Sequence, residues 1–163
     1  MNASTNTGTL PTLEESRIAF DSILSNFMNS WPLEEKEIQT AFLGIENSLQ
    51  IRDYVLGSLG LNLSDPMDSI SLLTLFNIAG ESAHVEAIKL AYYYEAGNSE
   101  MIQKTLDNSR RIDSENSLTK LLARVIAAGW PADSFATMRN ELHPKVVEII
   151  EANLSAIVGE EIA

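Results

Sequence analysis

The sequence predicts an all-α fold, arranged as a helical bundle or a short stack of antiparallel helical hairpins, with about seven to nine helices. Apolar residues recur at the spacing of a helix face from Thr12 to Val158. No segment shows the sustained apolar–polar alternation of a strand bounded by hairpin turns. The predicted loops are short, as they are between antiparallel neighbouring helices.

The chain length predicts a single domain. A chain of 163 residues is within the usual range for one domain, and a chain of this size buries about two thirds of its unfolded surface. Residues 1–11 are uncharged and rich in Ser, Thr and Asn, which predicts a flexible leader. We expect the all-α domain over residues 12–158 and a frayed tail over residues 159–163.

The first helix is predicted to begin after Thr12. Glu15 follows Thr12 at the spacing of a capping box, and Trp31–Pro32 ends or follows this helix. A second helix over residues 33–43 carries glutamates near its start, where the helix dipole favours negative charge.

The middle of the chain predicts two further helices. The first spans residues 49–59, with Gly57 and Gly60 weakening its end. An Asp–Pro pair begins the second. Its residues 70–79 are almost wholly apolar, which predicts a central helix buried on most sides and closed by Gly80.

The remaining helices follow from cap and stop residues. Ser99 is predicted to cap one of them, and Asp113 or Ser114 the next. Pro144 is suited to the first turn of a last helix. This position predicts that the last helix is separate from a short helix before Pro144. The predicted ranges are 81–96, 99–110, 114–126, 133–142 and 144–157.

The charge is strongly acidic and uneven along the chain. The net charge is -12, and residues 1–100 hold 14 acidic but only 4 basic side chains. Residues 101–145 hold 5 acidic and 7 basic side chains. An acidic surface repels phosphate backbones, which disfavours direct nucleic-acid binding. The acidic residues can serve solubility, dock a basic partner, or mimic DNA.

Several classes of protein are disfavoured by what the sequence lacks. The absence of cysteine excludes disulfides and thiolate-bound metals. No apolar run reaches the roughly 18 residues of a membrane span, and the N-terminus lacks the pattern of a signal peptide. We therefore expect a cytoplasmic protein with no membrane partner.

The sequence carries no pattern of catalytic, cofactor-binding or metal-binding residues. Glu81 and His84 have the spacing used in di-iron bundles, but no second Glu-x-x-His accompanies them. Phosphate-binding glycine loops and nucleophile motifs are also absent from the sequence. We predict no cofactor, and these absences favour a function that is not enzymatic over an enzyme.

Arg52 and Asp53 are the most informative charged pair, because they lie in an otherwise apolar helix. Such a pair can be a structural bridge, since buried charges are usually paired. It can also bind a ligand, because the guanidinium recognises carboxylates in a bidentate way. Both interpretations stay open at the level of sequence.

A second candidate site is a basic patch formed by Arg110, Arg111, Lys120 and Arg124. These residues can complement helix dipoles, or bind an acidic partner or an acidic face of another copy. Tyr93 is the third candidate. It is the middle one of three consecutive tyrosines, of which at least one must point away from the core, and outward tyrosines are typical contact residues.

Two known families have similar sequences. Tyr94, Gly97 and Leu106 resemble a tetratricopeptide-type hairpin. The longer resemblance covers residues 50–131, where Arg52–Asp53 and the segment from Gly97 to Pro131 resemble the C-terminal helical part of the DUF4192 family of actinobacterial proteins. That family has no established activity, so the resemblance implies a helical fold and nothing about chemistry.

Three functions follow as hypotheses. The first is a non-enzymatic protein–protein interaction or scaffold module, with a homodimer as one form. The second is an acidic regulator that occupies the nucleic-acid-binding surface of a partner, as a DNA mimic does. The third is a small-ligand binder or enzyme that uses Arg52 and Asp53.

Overall fold

The computed structural model describes the backbone of residues 9–162 and the side chains of residues 9–153. All regular elements in that range are helical, with eight α-helices and one 3₁₀ helix, which confirms the predicted all-α fold. The α-helices are α1 (Leu13–Met28), α2 (Glu35–Asn47), α3 (Leu49–Asn62), α4 (Pro66–Thr74), α5 (Ala83–Ala96), α6 (Ser99–Ile112), α7 (Ser117–Ala127) and α8 (Ala132–Ile162). Most of the predicted leader lies outside the described residues, and α8 continues to Ile162 within the predicted tail.

Helix α5 is the central element of the fold. It contacts α4, α6 and α7 extensively, and α2, α3 and α8 through fewer residues. Its buried side chains include Ile88, Leu90 and Tyr92, each at most 1% exposed. Full burial of one such side chain contributes roughly 1.5–3 kcal/mol. The core of the bundle is therefore built around α5.

The prediction of a central helix over residues 70–79 is wrong. Helix α4 ends at Thr74, and the chain tightens into the 3₁₀ helix at Leu75–Ile78. The polar residues of this run, among them Thr74 and Asn77, lie on an exposed face. Only its apolar face, which includes Leu72, Leu73 and Phe76, is buried.

The predicted capping box at the start of α1 is confirmed. The Thr12 hydroxyl accepts a hydrogen bond from the Glu15 backbone N–H at 3.0 Å, and the Glu15 carboxylate accepts one from the Thr12 N–H at 2.8 Å. Helix α2 begins two residues later than predicted and extends to Asn47, which places its glutamates in the first turn.

Two other caps lie at different residues from those predicted. Helix α6 is capped by Asn98 rather than Ser99, and α7 by Asn116 rather than Asp113 or Ser114. Asparagine side chains are strong N-caps, and Asp113 is occupied as the C-cap residue of α6. The hairpin of α5 and α6 turns at Gly97, whose φ of 70° lies in the left-handed region that glycine adopts without strain.

Helix α8 is continuous, so the prediction of two helices divided near Pro144 is wrong. Pro144 lies inside α8, although an interior proline removes one backbone hydrogen bond and costs about 3 kcal/mol. Packing on both sides of the proline offsets this cost, because Phe135 and Arg139 before it and Ile150 after it are buried.

The prediction that Gly57 and Gly60 weaken the end of α3 is wrong. Both glycines lie inside the helix, where they allow α8 to approach it. Helix α3 extends to Asn62, past both Gly57 and Gly60. A Cβ atom on Gly57 would lie 2.9 Å from Cγ of His143, and one on Gly60 would lie 2.8 Å from Nε of Arg139. Side chains of α8 thus occupy the space that the glycines leave on α3.

Candidate functional site

Arg52 is a buried side chain whose polar atoms are paired within the protein. Its Nε and Nη2 atoms contact Oδ1 of Asp53 at 2.9 and 2.8 Å. Nη1 donates to the hydroxyl of Ser117, the first residue of α7, at 3.1 Å. The Arg52 side chain is 9% exposed, whereas that of Asp53 is 39% exposed. This geometry favours a structural bridge between α3 and α7.

An apolar groove of about 380 Å³ adjoins this bridge. It lies between α7 and α8 over α3, and is called the α7–α8 groove below. Its apolar lining comes from all three helices: Leu56, Leu118, Leu121, Phe135, Met138, Leu142, Val146 and Ile149. Its polar lining residues are Arg52, Asp53, Arg139, His143 and Lys145.

Three of the apolar lining residues remain exposed. Leu121 of α7 is 39% exposed, and Leu142 and Ile149 of α8 are each 47% exposed. Met138, Leu142 and Ile149 recur on α8 at spacings of four and seven residues, so they form one stripe. The stripe covers 11 residue steps, about 16 Å or three helical turns.

Arg139 is the second buried guanidinium at this groove. It pairs with Glu95 of α5 and lies 5.1 Å from the ring centroid of Tyr92, within the range of a cation–π contact. Burial raises the pKa of Glu95, and the charge of Arg139 opposes that rise. The pair therefore joins α8 to the central helix without leaving a free buried charge.

His143 of α8 lies one helical turn after Arg139 and packs against α3. Its ring centroid is 5.3 Å from that of Tyr54. Its Nδ1 atom is buried and has no hydrogen-bond partner among the described residues. Burial lowers the pKa of His143, which favours the uncharged imidazole.

The predicted basic patch is divided between two helices. Arg110 and Arg111 lie in the last turn of α6, and Arg111 pairs with Glu81 at 2.5 Å. Lys120 and Arg124 lie one turn apart on α7, where Lys120 pairs with Glu115 at 2.6 Å. Arg124 makes no ion pair with any described residue. Because Arg124 follows Leu121 by three residues, it is the patch residue nearest the groove face.

Tyr93 lies between two anchored tyrosines of α5. The hydroxyl of Tyr92 donates to the carbonyl oxygen of Leu56, and that of Tyr94 to the carbonyl oxygen of Trp130. Tyr93 is half-buried against the core, and burial raises its pKa. Tyr93 is not among the residues that line the groove.

His84 belongs to a polar network between α5, α6 and α7. Asn116 directs its Oδ1 atom at the backbone N–H of Thr119, so its Nδ2 atom donates to Nδ1 of His84 at 3.0 Å. Thr119 in turn contacts the hydroxyl of Ser109 at 2.7 Å. Burial and then the charge of Arg52 lower the pKa of His84. These contacts describe a neutral histidine held in a cap network.

The described residues contain no group of three or more His, Asp or Glu side chains arranged to hold a metal ion. None of the described helices is long and apolar enough to cross a membrane.

Arg139, His143 and Lys145 also line the groove, although no sequence pattern had indicated them. One pattern could have indicated Arg139 and His143. Gly57 and Gly60 are small residues three positions apart on α3, and they face two long side chains that are four positions apart on another helix. Reading Pro144 as a helix start concealed this pattern, because it divided α8 between these residues.

The comparisons with known proteins identify no relative. No family model, no curated protein and no solved structure matches the chain. The resemblances to DUF4192 and to the tetratricopeptide hairpin therefore stay predictions.

Proposed function

We propose that the chain is a non-enzymatic interaction module that binds an amphipathic α-helix of a partner protein in the α7–α8 groove. The observation that carries this proposal is the continuous apolar stripe of α8 beside exposed Leu121. Large apolar side chains that line one groove at the surface are typical of protein contact sites.

The chemistry of the groove favours a helical occupant. Its polar lining groups Arg52 and Arg139 are paired with Asp53 and Glu95, so they offer few free partners to an extended backbone. An α-helix satisfies its own backbone hydrogen bonds and needs only an apolar face. A face with apolar residues at i, i+4, i+7 and i+11 spans the same three turns as the stripe of α8.

The charges beside the groove indicate which residues flank the apolar face of the partner helix. Lys145 lines the groove, and Arg124 lies beside Leu121. Neither makes an ion pair with a described residue. Free cations on an otherwise acidic protein favour a partner helix with Asp or Glu beside its apolar face, because such a pair steers association.

Site-specific photo-crosslinking in cells tests this proposal. A photoreactive residue replaces Leu142 in the groove or, as a matched control, Leu61, an exposed leucine of α3 that does not line it. We expect crosslinks only from position 142, to an amphipathic segment with acidic flanking residues.

Equal crosslinking from both positions would refute the groove as the docking site. Crosslinks from position 142 to a second copy of the chain would show that the groove forms a homodimer and would refute the heterologous partner. Crosslinks to a segment without helical apolar spacing would refute the helical occupant.

A further inference from the structure

A second cavity lies between α1, α3 and α8 and shares only His143 with the α7–α8 groove. It measures about 460 Å³, within the range of small-molecule sites. Side chains from three helices converge on it, with Asp21 from α1, Tyr54 from α3 and His143 from α8. We call it the α1–α3 cleft.

Three hydrogen-bond donors of the α1–α3 cleft are directed at protein acceptors. The Tyr54 hydroxyl donates to Oδ1 of Asp21 at 2.6 Å. The amide nitrogens of Asn29 and Asn62 donate to the carbonyl oxygens of Ser25 and Ser58, each at 2.8 Å. These contacts leave the second carboxylate oxygen of Asp21 and the two amide oxygens as free acceptors.

The local charge of the cleft is negative. Arg17 is the cation nearest in sequence to Asp21, and it pairs with Glu14 at 2.5 Å. Asp21 makes no ion pair with any described residue. Burial lowers the pKa of His143, so the imidazole adds no positive charge near neutral pH. Asp21 therefore supplies the cleft with a carboxylate that has no ion-pair partner among the described residues.

Apolar and aromatic walls complete the cleft. Leu24 and Met28 line it from α1. The Tyr54 ring is held edge-on by Phe20, with centroids 6.2 Å apart, and is stacked at a tilt on His143. Such walls can cover the hydrocarbon part of a ligand whose polar end meets Asp21.

We infer that the α1–α3 cleft binds a small organic cation, an alkylammonium or alkylguanidinium group. Its N–H groups donate to Asp21 and to the amide oxygens of Asn29 and Asn62, while its alkyl stem lies against Leu24 and Met28. The cleft shares only His143 with the α7–α8 groove. Its carboxylate and amide groups do not line that groove, so a failure of this inference would leave the proposed interaction function standing.

A titration with agmatine, in which NMR detects the binding, tests the site. Agmatine carries an ammonium and a guanidinium on an alkyl stem, and n-butanol is the uncharged control. We expect agmatine to shift the ring signals of Tyr54 and His143, and n-butanol not to do so. D21N keeps an acceptor for Tyr54 but removes the charge, and should weaken binding about ten-fold.

The matched control is D107N, at an exposed carboxylate of α6 that does not line the cleft. It should weaken binding less than two-fold, since only the general acidic field changes. Equal weakening by D21N and D107N, or shifts spread over the acidic surface, would overturn the inference. Circular dichroism checks that both variants remain folded.

Discussion

Gly60 of α3 and Arg139 of α8 are in such close contact that a single added methyl group would overlap the guanidinium. A Cβ on Gly60 would lie 2.8 Å from Nε of Arg139, which is closer than side-chain carbons normally approach. Arg139 is 6% exposed and also contacts Tyr92 and Glu95, so it cannot move without losing partners. The approach of α8 to α3, and with it one wall of the groove, depends on this pair.

The Gly60→Ala variant should lower the free energy of unfolding by about 1–3 kcal/mol, because overpacking forces the buried Arg139 from its position. Alanine in a helix interior otherwise stabilises by about 1 kcal/mol relative to glycine. The sign of the change in the free energy of unfolding, measured by urea denaturation, therefore shows whether the clash with Arg139 or the higher helix propensity of alanine is larger.

The same substitution in an Arg139→Ala background provides the control for this pair. We expect Gly60→Ala to be neutral or stabilising there, since the clash is gone. A loss of stability equal to that in the native background would show that the two residues are not coupled.

Pro144→Ala should raise the free energy of unfolding by about 1–3 kcal/mol, because it restores a backbone N–H in the interior of α8. Pro66→Ala is the matched control, since Pro66 lies at the first position of α4 and removes no helical hydrogen bond. Thermal unfolding of both variants measures the difference. A lower melting temperature for Pro144→Ala than for the native chain would show that Pro144 does not destabilise α8 by removing a backbone hydrogen bond.

Arg52→Ala should destabilise the fold by about 2–3 kcal/mol, because it removes a charged hydrogen bond to Ser117 and leaves space between α3 and α7. Asp53→Asn should cost less than about 1 kcal/mol, since Asp53 is partly exposed and the bond to Ser117 remains. Guanidinium denaturation of the two variants compares these values. Unchanged stability in Arg52→Ala would instead favour a ligand-binding role for the pair.

The stability of the fold should decrease as the pH falls from about 7 to 5. Burial lowers the pKa of both His84 and His143 in the folded state. The unfolded chain then binds protons at a higher pH than the folded chain, near the ordinary histidine pKa of about 6.5. The stability that these groups contribute is present above that value and is lost as the pH falls through their folded pKa values.

Urea denaturation at several pH values measures this slope, and His84→Gln should make it shallower. Glutamine can still accept from Asn116 but does not titrate. If the slope of the variant equals that of the native chain, His84 does not contribute to the pH dependence.

Helix-level features of this fold could be predicted because they depend on neighbouring residues. The capping box of Thr12 and Glu15 and the turn at Gly97 involve contacts within a few positions, and both are in place. The class of the fold follows from the same local periodicity.

Features that depend on distant residues could not be predicted in this way. Gly57 and Gly60 have the local character of a helix end, and only the approach of His143 and Arg139 explains their place inside α3. Pro144 likewise resembles a helix start until the buried residues on both sides of it are known. The α7–α8 groove combines three helices, so no local pattern indicates it.

Binding of an acidic amphipathic helix in the α7–α8 groove can be measured with a designed peptide. The peptide carries leucines at i, i+4, i+7 and i+11 with glutamates beside them, and its dissociation constant is measured by fluorescence anisotropy. We expect Leu142→Glu to weaken binding at least about ten-fold, because it places a charge in the apolar stripe and repels the glutamates. Leu61→Glu, with the same charge change outside the groove, should weaken it less than about two-fold. Equal affinities of the two variants for the peptide would rule out the α7–α8 groove as the site that binds the helix.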